Sequence, residues 1–347
     1  LFRSAVTQGK LNDNGTVSAN SGSVLRVAGD VTIMAASLSL GNANVIGVTD
    51  NTGDLRTLAG NVTLNTTGDA LMRSTGSLTL TSASVAGATV STAVGGDLTL
   101  TVGGSLFDSS RVTVTGATLL TVGVGKDVVL DAVNASTTDA DAFGGVLTIV
   151  NAANVTLVDD DAAGLTLVGN FSGDLSVKAA AALTLGNTAL ATNKVSVAGA
   201  THLTAQGITS GNTTNDFVGT LSFNSTGNVS LRDVNGLSLG TSQVSGSGNL
   251  VIVTGDSLTA TGALTVAGAT TLTASKLTQG VNSADITLAA ANDFSGSVSV
   301  VSARDVRVND TTALTLGASS LSGHLTVTAG GAITQTGALS VQGSQAQ

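Results

Sequence analysis

Asp159, Asp160 and Asp161 form the densest acidic cluster of a 347-residue chain whose 22 acidic side chains are all Asp, and Asp139 and Asp141 lie just upstream. Closely placed carboxylates can divide the work of cleaving a glycosidic bond: one protonates the leaving oxygen while the other activates water or attacks carbon. The same oxygens are candidates for calcium, as are "NDNG" at 12–15 and "DNTGD" at 50–54, although none has a full calcium-loop spacing. Against both readings, Asp159 recurs in register as Asp233 and Asp310, as a corner residue on a solvated turn would. No supporting constellation accompanies the acids, so a non-enzyme without cofactor is the expectation, with calcium the weaker alternative.

Other chemistry finds less support. His202, in "GATHLTA", and His324, in "LSGHLTV", each precede Leu-Thr in unlike contexts, which places them singly at strand starts with the ring outward. There is no Cys, and no Gly-rich phosphate loop precedes a helix, so thiol and nucleotide chemistry lack their residues. Thr-x-Thr pairs such as Thr79/Thr81 and Thr99/Thr101 raise ice binding, but they are scattered, and the lack of Trp and Tyr counts against a glycan platform.

The elements that must position these residues are short strands. From about residue 60 the chain is a succession of triplets such as "LTL" at 98–100, "VTV" at 112–114 and "LTL" at 183–185. Each triplet puts two apolar side chains on one face and a hydroxyl on the other, which is the period of a half-buried strand. The 44 Gly and the abundance of Ser, Thr, Asn and Asp supply the turns, while the lack of Glu argues against helices. Strand starts lie too close together for crossover helices.

Long-range self-similarity then selects among all-β folds. "NDFVGTLSFNSTGNVSLRDVNGLSLG" at 215–240 returns as "NDFSGSVSVVSARDVRVNDTTALTLG" at 292–317, and "FGGVLTIVNAANVTLVDDDAAGLTL" from Phe143 has the same layout. A shorter relative begins at Asn170, its Phe171 standing eight residues closer to its Leu-Thr-Leu, which is one strand and one turn. Gain or loss of whole modules is what a solenoid tolerates, since each layer touches only its neighbours. The sequence therefore predicts a right-handed parallel β-helix of about 13–17 coils, with roughly 20–27 residues per coil. Residues 1–60 read as less regular coils, 61–140 as solenoid, and 141–347 as solenoid with a super-repeat of about 77 residues. Phe143, Phe171, Phe217 and Phe294 fall at equivalent positions and are expected to stack on one another inside the coils. The absence of Pro suits strands bonded on both edges.

Charge and hydropathy bound the partners. A net charge of −9, from 22 acids and 13 bases, leaves no basic cluster for nucleic acid. Mean hydropathy is +0.40, yet no run approaches the roughly 18 apolar residues of a spanning helix, so no membrane insertion is expected. The opening "LFRSAVTQGK" has neither an initiating Met nor an apolar signal core, and "GALSVQGSQAQ" stops just after a strand without a cap. A segment of a longer chain, or rods that join end to end, is the expectation.

"NDFSGSVSV", "ALTLG", "LTVTAGGAITQTGALSVQG" and the interleaved "VAGAT" resemble the repeat regions of very large bacterial exoproteins of the filamentous haemagglutinin type, adhesins exported by two-partner secretion. The resemblance covers about residues 140–345. It implies a right-handed parallel β-helix, bacterial origin, export, and a place on the cell surface among host or neighbouring-cell glycans and proteins. The Asn-Pro motifs of the family's secretion domain are absent, so the stretch corresponds to shaft. The expected function is the structural shaft of a secreted adhesin or filament, with a polysaccharide-degrading β-helix enzyme or a glycan- or ice-binding solenoid as alternatives.

Overall fold

The computed structural model describes residues 60–132, 140–278 and 280–343, together with short strand segments between 6 and 46. It is all-β, with no helix among the described residues. The chain divides into two compact units, residues 1–173 with 177–180, and residues 174–176 with 181–347. Each is a parallel β-solenoid.

In the first unit the strand Leu98–Val102 lies parallel on Ala70–Ser74, and Thr118–Leu130 lies parallel on Leu98–Val102. The register stacks like on like. Met72, Leu100, Leu120 and Ile149 form one buried aliphatic column, because each faces inward at the same place of its coil. The second unit repeats the device with Leu231, Ile252, Leu272 and Val300. Successive layers sit roughly 4.8 Å apart, so every inward side chain is covered above and below and the apolar area is buried without a large central core.

Coil length takes two main values. Asp97 follows its lower neighbour Asp69 by 28 residues, while Ala117 follows Asp97 by 20. The second unit has steps of 21 and 20 at Asn249 and Ala269, and of 28 at Leu264 over Asn292. The eight-residue difference is one strand-turn module, and the longer coils slightly exceed the 20–27 residues expected.

Turns are joined layer to layer by side chains. Asp97 N–H donates to Asp69 Oδ1 at 2.9 Å, and Ala117 N–H to Asp97 Oδ1 at 2.8 Å. Asn249 N–H donates likewise to Asn228 Oδ1 at 2.9 Å, and Ala269 N–H to Asn249 Oδ1 at 2.8 Å. The Asp and Asn before strands thus satisfy corner donors that the sheet ladders cannot reach.

Antiparallel pairing occurs only as small excursions among the described residues. Ala83–Val85 folds back on Ala88–Val90 through Ala86 and Gly87, whose φ values of 51° and 82° suit a two-residue hairpin turn. Leu277–Thr278 also pairs antiparallel with Val281–Asn282, and Lys10–Leu11 with Val17–Ser18.

Candidate functional site

Three of the recurring Phe residues anchor one constellation. Phe143, Phe217 and Phe294 are buried, and beneath each in the parallel register lies a Val of the preceding coil: Val114, Val197 and Val266. The expected Phe-on-Phe stack is therefore replaced by Phe on Val, since the copies are several coils apart. Phe171 is also buried, but Gly169 stands two residues before it, where a Cβ would run into the Phe171 ring and the Ile149 carbonyl.

Each of the three carries a matched pair of polar side chains. The backbone N–H of Phe143 donates to Asp159 Oδ2 at 3.0 Å, that of Phe217 to Asp233 Oδ2 at 2.7 Å, and that of Phe294 to Asp310 Oδ2 at 2.8 Å. The other oxygen of each Asp accepts from the residue two further on: Asp161 at 3.1 Å, Asn235 at 2.8 Å and Thr312 at 2.7 Å. All three carboxylates are buried, so the solvated-turn reading of Asp159, Asp233 and Asp310 gives way to an inward corner clamp.

The second member sits two residues before the ring. Asp141, Asn215 and Asn292 are each 0% exposed, and their Oδ1 atoms accept from Val112, Val195 and Leu264 of the preceding coil at 2.7, 2.7 and 2.9 Å. Their carbonyls accept from Asp160, Val234 and Thr311 in the following coil at 2.7, 2.8 and 2.8 Å. One segment thus ties three layers together. Period-two alternation puts the polar residue on the same face as the ring, a signal visible in the sequence as "DAF" and "NDF".

Burial dominates the electrostatics. It pushes Asp159 and Asp233 up to about 6 from the usual carboxylate value, against the lowering effect of their backbone donors. Asp141 is pushed up to about 9, first by burial and then by the charge of Asp108. Asp108 is itself raised by burial, while its oxygens accept from Asp131 at 3.0 Å and Ala132 at 3.1 Å.

The remaining candidates are spread apart. Asp160 pairs with Arg111 at 2.8 Å, and Asp161 caps its own turn through Ala163 N–H at 2.8 Å. Both oxygens of Asp159 being taken by backbone, the three do not present a common face to a cation. Among the described residues no group of three or more His, Cys, Asp or Glu is arranged to hold a metal ion. His202 is exposed on strand Thr201–Ala205 beside Ser222, and His324 is exposed with its N–H on Asp305 Oδ1 at 2.7 Å. Thr99 stands between Leu71 and Leu119, and Thr79 between Asn61 and Phe107, so neither continues as a threonine ladder. Asp139, 12–15 and 50–54 lie outside the described residues.

Parallel coils with a buried clamp recurring about every three turns define the class: a β-solenoid repeat protein. The repeat family described as "repeats of unknown function (DUF5649)" matches residues 75–149, 152–224, 226–301 and 303–346, and the chain belongs to it. The first three segments contain, in order, Phe143, Phe217 and Phe294. No curated protein and no solved structure matches the chain.

Proposed function

We propose that the protein is the structural shaft of a secreted bacterial surface adhesin or filament, holding other parts away from the cell, and that it is not an enzyme. The observation that carries this reading is the use of the conspicuous acids. Asp159, Asp233 and Asp310 spend one oxygen on a backbone N–H of the neighbouring layer and the other on their own turn, and with Asp141 they are buried where no polymer substrate reaches. A shaft asks for repeated interlayer ties of this kind, and a glycosidase asks for two carboxyls open to a sugar. The haemagglutinin-like motifs add export and a surface location. Partners on this reading are further coils of a longer chain or end-to-end copies, and glycans or proteins of an opposing surface.

Negative-stain electron microscopy of the purified chain tests the proposal, with slender particles or fibres of uniform width expected. Compact round particles, or new reducing ends released from a panel of acidic polysaccharides, would remove it.

A further inference from the structure

The constellation around Phe143 differs from its two counterparts in one atom. Where Asn215 and Asn292 stand, Asp141 stands. The side-chain amides of the two asparagines donate: Asn215 Nδ2 to Leu185 O at 2.9 Å and Ser210 Oγ at 2.6 Å, and Asn292 Nδ2 to Leu288 O, Ala290 O and Asn309 O at 3.0, 3.0 and 2.9 Å. In Asp141 the matching atom is Oδ2, which is buried and has no partner that donates to it. The Asp108 side chain is its acidic neighbour, close enough to Asp141 for the two carboxyls to interact directly. Charging both carboxyls there is costly, whereas a carboxylic acid and a carboxylate can form a hydrogen bond.

We propose that Asp141 serves as a carboxylic acid, holding a proton against Asp108 in the place where the other copies hold an amide N–H, and that loss of this proton unlatches the coil at Phe143. The device goes beyond the shaft reading and does not depend on it. Bound water or a buried cation are the competing ways to satisfy Oδ2, and the surroundings disfavour a cation, because Asp108 and Asp159 already accept from Asp131, Ala132, Phe143 and Asp161.

Among the described residues the charged groups around the pair are almost all acidic. Asp159 is bridged to Asp141 backbone to backbone, Asp160 and Asp161 follow it, and Asp131 lies beside Asp108. The neighbouring cation, Arg111, is engaged by Asp160. Asp141 is raised to about 9 by burial and the Asp108 charge. A carboxyl whose folded value lies above its unfolded one binds the proton more tightly when folded. Its contribution to stability is full below the unfolded value and falls as pH rises, being lost through about pH 9.

Thermal unfolding of the whole chain from pH 6 to 10, with infrared spectroscopy at pH 7, tests the device. The wild type should lose roughly 5 °C or more of midpoint between pH 7 and 10, while Asp141→Asn should keep its midpoint and exceed the wild type at pH 9. At pH 7 the wild type should show the carbonyl band of a buried carboxylic acid, and Asp141→Asn should lack it. Should that variant not fold, Asp108→Asn serves: its amide can face a charged Asp141, so the acid band at pH 7 should shrink and the midpoint should lose its alkaline fall. A wild type with no acid band and no alkaline fall would overturn the proposal. So would calcium chloride that raises the wild-type midpoint and leaves Asp141→Asn unmoved, which would assign Oδ2 to a cation.

Discussion

The coil at Phe143 and the coils at Phe217 and Phe294 share backbone geometry nearly bond for bond, yet satisfy the same buried position with different chemistry. An asparagine accepts at Oδ1 and donates at Nδ2 at any pH. An aspartic acid does both only while it keeps its proton. What the difference teaches is that the fold specifies a pattern of donors and acceptors at this corner, and that two side chains of equal shape can meet it with unequal sensitivity to pH. The Phe171 copy marks the limit of the pattern: with Gly169 at the polar position, it retains the ring and dispenses with the tie.

The largest effect should come from the part that all copies share. Phe143→Ala, Phe217→Ala and Phe294→Ala each remove a fully buried ring resting on a Val, and each should lower unfolding stability by about 3–5 kcal/mol. Urea denaturation measures this. Equal losses uphold the equivalence of the copies, whereas a loss confined to one would show that the ring is structural there and replaceable elsewhere.

Next is the carboxylate clamp. Asp233→Ala strips partners from the N–H groups of Phe217 and Asn235 in a buried corner, and should cost about 2–4 kcal/mol at pH 7, read by the same curves. Asp233 also titrates at about 6 in the fold, above its unfolded value, so its contribution falls as pH rises from about 4 through 6. The wild type should therefore lose some stability across that window, and Asp233→Ala should lose less.

A transplant sharpens the comparison from the other side. Asn215→Asp places in the second unit the residue found at 141, where the acid could donate to Leu185 O or Ser210 Oγ. Its midpoint should match the wild type within a few degrees at pH 5 and drop by roughly 5 °C more at pH 9, where the buried acid must ionise. An equal drop at both pH values would mean that shape, not protonation, distinguishes the two residues.

Much of this was legible in the sequence. Apolar triplets, the absence of Pro and the Phe-to-Asp spacing lead to parallel coils, and the missing eight residues after Phe171 to a removable module. The corner is not legible in the sequence, for a physical reason. Period-two patterning says which side of a strand is inside, but says nothing of a turn residue, whose direction depends on which N–H groups the stacked layers leave open. Asp159 was for that reason expected in solvent, although it points inward to Phe143. The hairpin at Ala86 and Gly87 was missed because "SVAGATV" carries the same small and β-branched residues as the coils around it.

The smallest effect concerns a tie that only the first copy has. Arg111 precedes Val112, whose N–H donates to Asp141, and it reaches Asp160 at 2.8 Å; the equivalents of Arg111 elsewhere are Lys194 and Ala263, and those of Asp160 are Val234 and Thr311. The pair is partly exposed, so water and salt screen it, and Arg111→Ala should lower stability by only about 0.5–1 kcal/mol, with the difference shrinking in high salt. Removing the cation also leaves the acids around Asp141 less compensated, which holds the shared proton more firmly. The fall in melting midpoint should then continue to a slightly higher pH in Arg111→Ala than in the wild type before it levels off. A fall that levels off at the wild-type pH would mean that Arg111 does not act on the Asp141 and Asp108 pair.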